Sequence, residues 1–255
     1  MERFIQRIAK KAGDAVLEKF GKFGVHYLKS EHRGDAVTKA DLIADKIITS
    51  AIKKTYPSHG IISEESGRTR EDAEYVWITD PIDGTFNFAT SVPLFGVMVA
   101  LARKGIVELS AIYLPTTKEF FFAKRGKGSF LNGKKIHCSR VTDFTVSAGI
   151  GPTWLRPRAI KFMSRLLKHS ENMNVMFNGY GSIAVDATYM AAGRRDWFVG
   201  FGAHVHDYAP ISLLMKESGC RISNAKGRPW TILDTEIVAA NPTLHKQLLK
   251  LTKNV

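Results

Sequence analysis

An α+β fold of stacked helix and sheet layers is predicted by three features of the sequence: segments of helical periodicity, a block of short β-rich runs between them, and turn residues punctuating that block. Residues 2–20 place Phe4, Ile5, Ile8, Ala12, Ala15, Val16 and Leu17 on one helical face, and Gly21 supplies a stop. A second helix is signalled by Thr38 as N-cap with Asp41 three residues on, the spacing of a capping box, followed by Leu42, Ile43, Ile47, Ile48, Ala51 and Ile52. Strand candidates follow at 60–63, 75–79, 95–102, 107–114 and 119–123, separated by turn signals such as Arg103-Lys104-Gly105 and Asn132-Gly133. Helical patterns return at 157–168 and 182–192, and a last apolar run, 211–215, ends at Gly219. A change of character over 138–145 divides the chain into an N-terminal part, 1–138, and a C-terminal part, 139–255, without a Pro/Ser/Gly-rich linker and without an internal repeat.

A chain of 255 residues can bury a sizeable core without disulfides or a structural metal. With 44% hydrophobic and 24% charged residues, and 21 Gly and 9 Pro spread along it, it is neither collagen-like nor disordered. The longest apolar run, 94–102, is about half the ~20 residues of a membrane-spanning helix and reads as a buried strand. The N-terminus, Met1-Glu2-Arg3-Phe4, has an early acid in place of an apolar signal core, and Cys138 and Cys220 stand alone and far apart; both features predict an unprocessed cytoplasmic protein. A net charge of +13 favours an anionic partner. The basic residues are scattered, however, with no zinc-finger spacing, no basic helix leading into heptads and no RNA-recognition signature, so a solvated lysine-rich surface explains them and nucleic acid is not the expected partner.

The most informative stretch is Trp77-Ile78-Thr79-Asp80-Pro81-Ile82-Asp83-Gly84-Thr85-Phe86-Asn87-Phe88. An apolar strand ends in Asp80, Pro81 breaks the ladder, and two carboxylates three residues apart stand at the mouth of a sheet. Hard cations such as Mg²⁺ take oxygen ligands, which Asp80, Asp83 and the Ile82 carbonyl can supply. Gly84 permits close backbone approach, and the amides of Gly84 and Thr85 at the start of a short helix suit a phosphate. Taken singly, each acid has a plainer reading: Asp83-Gly84 as a turn tip, Glu64-Glu65 as exposed loop acids, Asp41 as the third residue of a capping box and Asp207 as an N-cap.

As an ordered set these residues resemble a known family. Val37-Thr38-Lys39-Ala40-Asp41, then Ile62-Ser63-Glu64-Glu65-Ser66-Gly67, then the 77–88 stretch are similar to the three N-terminal motifs of the inositol monophosphatase superfamily of Mg²⁺-dependent, lithium-sensitive phosphatases. The likeness continues through Gly126-Lys127-Gly128-Ser129-Phe130-Leu131-Asn132-Gly133-Lys134 and Gly181-Ser182-Ile183-Ala184-Val185 to His206-Asp207, and so covers essentially the whole chain. The form of residues 80–88 looks most like archaeal members acting on both inositol monophosphate and fructose 1,6-bisphosphate. The resemblance implies an αβαβα sandwich, a homodimer and a small phosphorylated sugar or polyol as substrate. It implies two or three Mg²⁺ ions, with Mn²⁺ as an alternative. By matched position, Glu64, Asp80 and the Ile82 carbonyl would hold one metal, and Asp80, Asp83 and Asp207 a second. Asp41 and Thr85, with Glu64 beside them, would orient the attacking water. Asp83, Gly84, Thr85, Gly181, Ser182 and Arg158 would meet the substrate.

Two departures from the family pattern stand out. His206 occupies the place of a tryptophan before the last metal-binding aspartate, and His204 with His206 could form two zinc ligands if this segment were a strand. Asp207 would instead begin a helix carrying Pro210 in its first turn. Gly200 stands where animal inositol monophosphatases carry an acid that contacts inositol hydroxyls, while Arg156 and Arg158 could reach a second phosphate or simply be solvated. Alternative readings are a 3′(2′),5′-bisphosphate nucleotidase, whose usual Lys-Glu after Asp-Gly-Thr is replaced by Phe86-Asn87, and a basic nucleic-acid-binding protein on a phosphatase fold.

Overall fold

The capping box read at Thr38 is present: its Oγ1 accepts from the Ala40 amide at 3.1 Å, and Asp41 accepts from the Thr38 amide at 2.8 Å, starting helix α2 (Lys39–Thr55). A computed structural model describes residues 1–31 and 36–253. The first helix, α1 (Glu2–Leu17), buries Ile5, Ile8, Ala12 and Val16 as the periodicity requires and ends three residues short of the expected 20, in turns that lead to Gly21. A two-stranded ribbon, β1 (Tyr27–Leu28) with β2 (Ala36–Val37), precedes α2.

Helices α1 and α2 cover one face of an eight-stranded sheet. In chain order its strands are β3 (Gly60–Ser63), β4 (Gly67–Thr69), β5 (Tyr75–Asp83), β6 (Gly96–Arg103), β7 (Ile106–Leu114), β8 (Glu119–Lys124), β9 (Gly128–Leu131) and β10 (Lys134–Ile136), arranged β10-β9-β8-β7-β6-β5-β3-β4. A short helix, α3 (Thr85–Ala89), links β5 to β6. The second sheet holds β11 (Ala148–Ile150), β12 (Met176–Asn178), β13 (Trp197–Phe201), β14 (Arg221–Ser223) and β15 (Glu236–Ala240), in the order β12-β11-β13-β15-β14. Between the sheets lie α5 (Ile183–Ala191) and α6 (Val205–Glu217), and α4 (Pro157–His169) and α7 (Pro242–Thr252) cover the outer face of the second sheet. The layers are therefore α, β, α, β, α.

Two readings of the sequence are corrected. Pro81 does not end the strand: β5 runs on to Asp83, and pairing with β6 passes from Asp80↔Met98 to Asp83↔Gly96, three residues on one strand against two on the other. This β-bulge carries the proline, which has no amide proton to give to the ladder. Helix α6 starts at Val205, so Pro210 is its sixth residue and not in its first turn; its missing N–H withdraws the helical partner of the His206 carbonyl. The short strands of the second sheet carry no periodic signal long enough to be read from the sequence, whereas α7, not singled out there, does carry one in Asn241 as N-cap, Pro242 in the first turn and Leu244, Leu248 and Leu251 at helical spacing.

Candidate active site

The site forms where strand ends and helix starts meet. Parallel pairing of β3 with β5 sets Ser63 beside Thr79, so the next residues, Glu64 and Asp80, emerge side by side at the same end of the sheet, with the Glu64 amide donating to the Thr79 carbonyl at 3.2 Å. In a regular strand residues three apart face opposite ways. The extra bulge residue resets that alternation and allows Asp80 and Asp83 to share one side. Asp207 arrives from the other part of the chain, in the first turn of α6, and a carboxylate oxygen from each of Asp80, Asp83 and Asp207 lies within 4.8 Å of the others.

The three carboxylates are held differently. Asp207 accepts from the His204 amide at 2.6 Å in a capping box that repeats the one at Asp41. Asp83 Oδ2 accepts from the Ala184 amide at 2.7 Å and from the Ser182 hydroxyl. Asp80 Oδ1 is buried with no hydrogen-bond partner. Burial and the neighbouring acids push Asp80 well above the usual carboxylate range, while burial, with the Asp207 charge for Asp83 and the Glu64 charge for Asp207, raises both of these to about 7. Among the described residues no lysine or arginine pairs with any of the three. Such a cluster, all oxygen and largely unneutralised, fits a hard divalent cation.

Glu64 lines the same cavity but is drawn to Lys29, whose Nζ donates to Glu64 at 2.9 Å and to Glu65 at 2.7 Å. Burial alone would raise Glu64; the charges of Lys29 and His206 outweigh it and hold Glu64 low. Lys29 was not singled out in the sequence, because 35 residues separate it from Glu64 and no local pattern joins them. Asp41 stands behind the cavity, accepting from Thr38 and, at 2.9 Å, from the Thr85 hydroxyl, which also lies 2.7 Å from the Ile82 carbonyl. Burial raises Asp41 to about 6, opposed by these hydrogen bonds.

Gly84 caps α3 with φ +87°, and a Cβ there would meet the Leu94 carbonyl oxygen and Ser182 Cβ, both at 2.9 Å. Gly84, Thr85, Gly181 and Ser182 all line the cavity. Arg158 does not: it is ion-paired with Glu236, whereas Arg156 lines the cavity with its Nη1 on the Gly202 carbonyl at 2.8 Å. Asp186, also unread in the sequence, is buried against the cavity and accepts from the Tyr180 amide at 3.0 Å, closing the turn that presents Gly181 and Ser182. Gly200 has a steric reason to lack a side chain, since a Cβ there would lie 2.4 Å from the Tyr208 hydroxyl oxygen.

The two-histidine zinc reading does not hold. Residues 204–206 enter a helix and are not a strand, the two imidazoles stack at 5.2 Å between ring centroids, and the convergent ligand group among the described residues contains only the three aspartates.

The model of the inositol monophosphatase family matches residues 1–255. The chain is 35% identical over 246 residues to the Nus factor SuhB of Escherichia coli K12, covering 95% of this chain and 92% of that protein. It is 33% identical over 252 residues to the inositol-1-monophosphatase of Mesorhizobium japonicum, covering 96% and 93%. The crystal structure of the extragenic suppressor protein suhB from Bartonella henselae superposes with a TM-score of 0.91 at 28% identity, covering 99% and 98% of the two chains. Motif order, layer architecture and whole-length similarity agree: the chain belongs to the inositol monophosphatase family.

Proposed function

We propose that this protein is a Mg²⁺-dependent phosphoric monoester hydrolase acting on a sugar or inositol phosphate, with inositol 1-phosphate, fructose 1,6-bisphosphate or both as substrate. The observation that carries this reading is the convergence of Asp80, Asp83 and Asp207 from two parts of the chain, with a buried Asp80 oxygen left without a partner. Glu64, Asp80 and the Ile82 carbonyl would hold one ion and Asp80, Asp83 and Asp207 another, in a set of two or three ions, Mn²⁺ serving as well as Mg²⁺. Bound there, the ions would neutralise the phosphate dianion and lower the pKa of water, so that water attacks directly and no phosphoenzyme forms.

The side chains supply position and proton handling. Asp41, raised to about 6, accepts a hydrogen bond from the Thr85 hydroxyl, which keeps its proton and turns its oxygen lone pairs to align water next to Glu64. The amides of Gly84 and Thr85 meet phosphate oxygens at the positive end of α3. Ser182 holds Asp83, Gly181 shapes the approach, and Arg156 takes over the substrate-facing role first read at Arg158. In this reading the division at residues 138 and 139 separates the sheet that presents Glu64, Asp80 and Asp83 from the part that presents Asp207, and its support is that the first sheet ends at Ile136 and the second begins at Ala148. Homodimerisation, lithium inhibition and a cytoplasmic setting belong to the same proposal; no helix among the described residues is long and apolar enough to cross a membrane.

Phosphate release measured over a panel of monoesters, including inositol 1-phosphate, fructose 1,6-bisphosphate and 3′-phosphoadenosine 5′-phosphate, tests the reading with Mg²⁺ and with EDTA. Turnover that needs Mg²⁺ is expected. Inertness toward the whole panel, or preference for the nucleotide, overturns it in favour of the alternatives.

A further inference from the structure

A second cavity lies away from the acids, where the C-terminal half of α6 passes between the start of β7, the strand β14 and the loop at 229–232. Its volume, about 430 Å³, is more than twice the 190 Å³ over the aspartates and falls in the range of small-molecule sites. Its floor is apolar, built by Val107, Leu213 and Ile222, and the indole of Trp230 lines it. Three cations line it as well, Arg125, Lys216 and Arg221, and no acidic side chain does.

The charges are not balanced from nearby. Arg125 is engaged with the Val107 carbonyl and lies 3.2 Å from Glu108, but Lys216 and Arg221 have no carboxylate partner among the described residues. Glu217, next in sequence to Lys216, is committed to the Gly126 and Gly128 amides at 2.9 Å each. Trp230 Nε1 is screened from solvent and has no acceptor among the described residues, although buried donors are nearly always satisfied. An aliphatic floor, an aromatic face, an unmatched donor and two unpaired cations are complementary to one kind of molecule.

We propose that this cavity binds a small organic anion with a flat apolar body, its ring system against Trp230 and the floor, its anionic group at Lys216 and Arg221, and an acceptor atom that satisfies Trp230 Nε1. The assignment uses no residue of the aspartate site and stands apart from the phosphatase reading. The probe is 1-anilinonaphthalene-8-sulfonate titrated against the full chain by fluorescence, with the uncharged N-phenyl-1-naphthylamine as control. Saturable binding of one probe per chain is expected, with about tenfold weaker binding of the uncharged analogue. Lys216→Gln with Arg221→Gln, both on exposed side chains, should raise Kd about tenfold, and Trp230→Phe, which keeps a ring, should raise it severalfold. Saturating Mg²⁺, directed to the aspartate cavity, should leave the Kd of the probe unchanged. Equal Kd in the double variant, equal binding of the uncharged analogue, or a Kd that changes with Mg²⁺ would each overturn the proposal.

Discussion

Asp83 accepts two hydrogen bonds on one oxygen and stands with Asp80 and Asp207 in a group that no lysine or arginine among the described residues pairs with. Asp83→Asn keeps the shape and removes the charge. Turnover should fall by more than about 100-fold while the melting temperature stays within a few degrees; phosphate-release kinetics and thermal melting followed by circular dichroism check this, and normal turnover would remove Asp83 from the site. Thr85→Ala deletes the hydroxyl between Asp41 and the Ile82 carbonyl. Its kcat should drop about 100-fold with KM changed less than about threefold; a change in KM alone would assign Thr85 to substrate binding instead. Both residues were legible in the sequence because they belong to one continuous segment. Lys29 was not, since its partners Glu64 and Glu65 reach it only through the fold.

Helix starts are the recurring device at the scale of elements. Asp41 and Asp207 each occupy the third helical position of a capping box, as read for Asp41, whereas Asp207 is not the N-cap read from the sequence, that place being taken by His204; in both, the helix start fixes the carboxylate that the proposed function uses. Thr38→Ala should cost about 1 kcal/mol of stability and, by releasing Asp41, lower turnover as well; chemical denaturation paired with kinetics measures both, and unchanged turnover would make Asp41 a cap only. Strand β13 and helix α6 touch at Gly200 and Tyr208. Gly200→Ala should destabilise by about 1–3 kcal/mol, and adding Tyr208→Phe should recover part of that, because the nearest atom then recedes from 2.4 to 3.1 Å. A double-mutant cycle in denaturant shows the coupling or its absence. The bulge in β5 could not be read from Pro81, because whether a proline ends a strand or is taken up in an irregularity depends on the partner strand.

At the scale of the whole molecule, the two sheets are joined by α5 and α6, and the charge collected at their junction makes stability depend on pH and on divalent ions. Asp83 and Asp207 are raised to about 7 without metal, above their unfolded value of 3.8. Their contribution is therefore full below about pH 4 and is lost as pH rises through 7. Metal binding needs the ionised forms, so Mg²⁺ should raise the melting temperature more at pH 8 than at pH 5.5, and EDTA should reverse the gain. Differential scanning fluorimetry at the two pH values decides it, and a Mg²⁺ effect independent of pH would contradict the assignment of these carboxylates. The sequence alone determined the layered fold class and the capped helix at Thr38, because periodicity and caps are local properties of the chain, and the order of its motifs gave the expectation that Asp41, Glu64, Asp80, Asp83 and Asp207 form one set. Only the tertiary structure decided that Lys29 faces Glu64, that Arg156 and not Arg158 reaches the cavity, and that Tyr208 fills the space beside Gly200. Those contacts join residues of different elements, and sheet register, a bulge and helix packing set their distances.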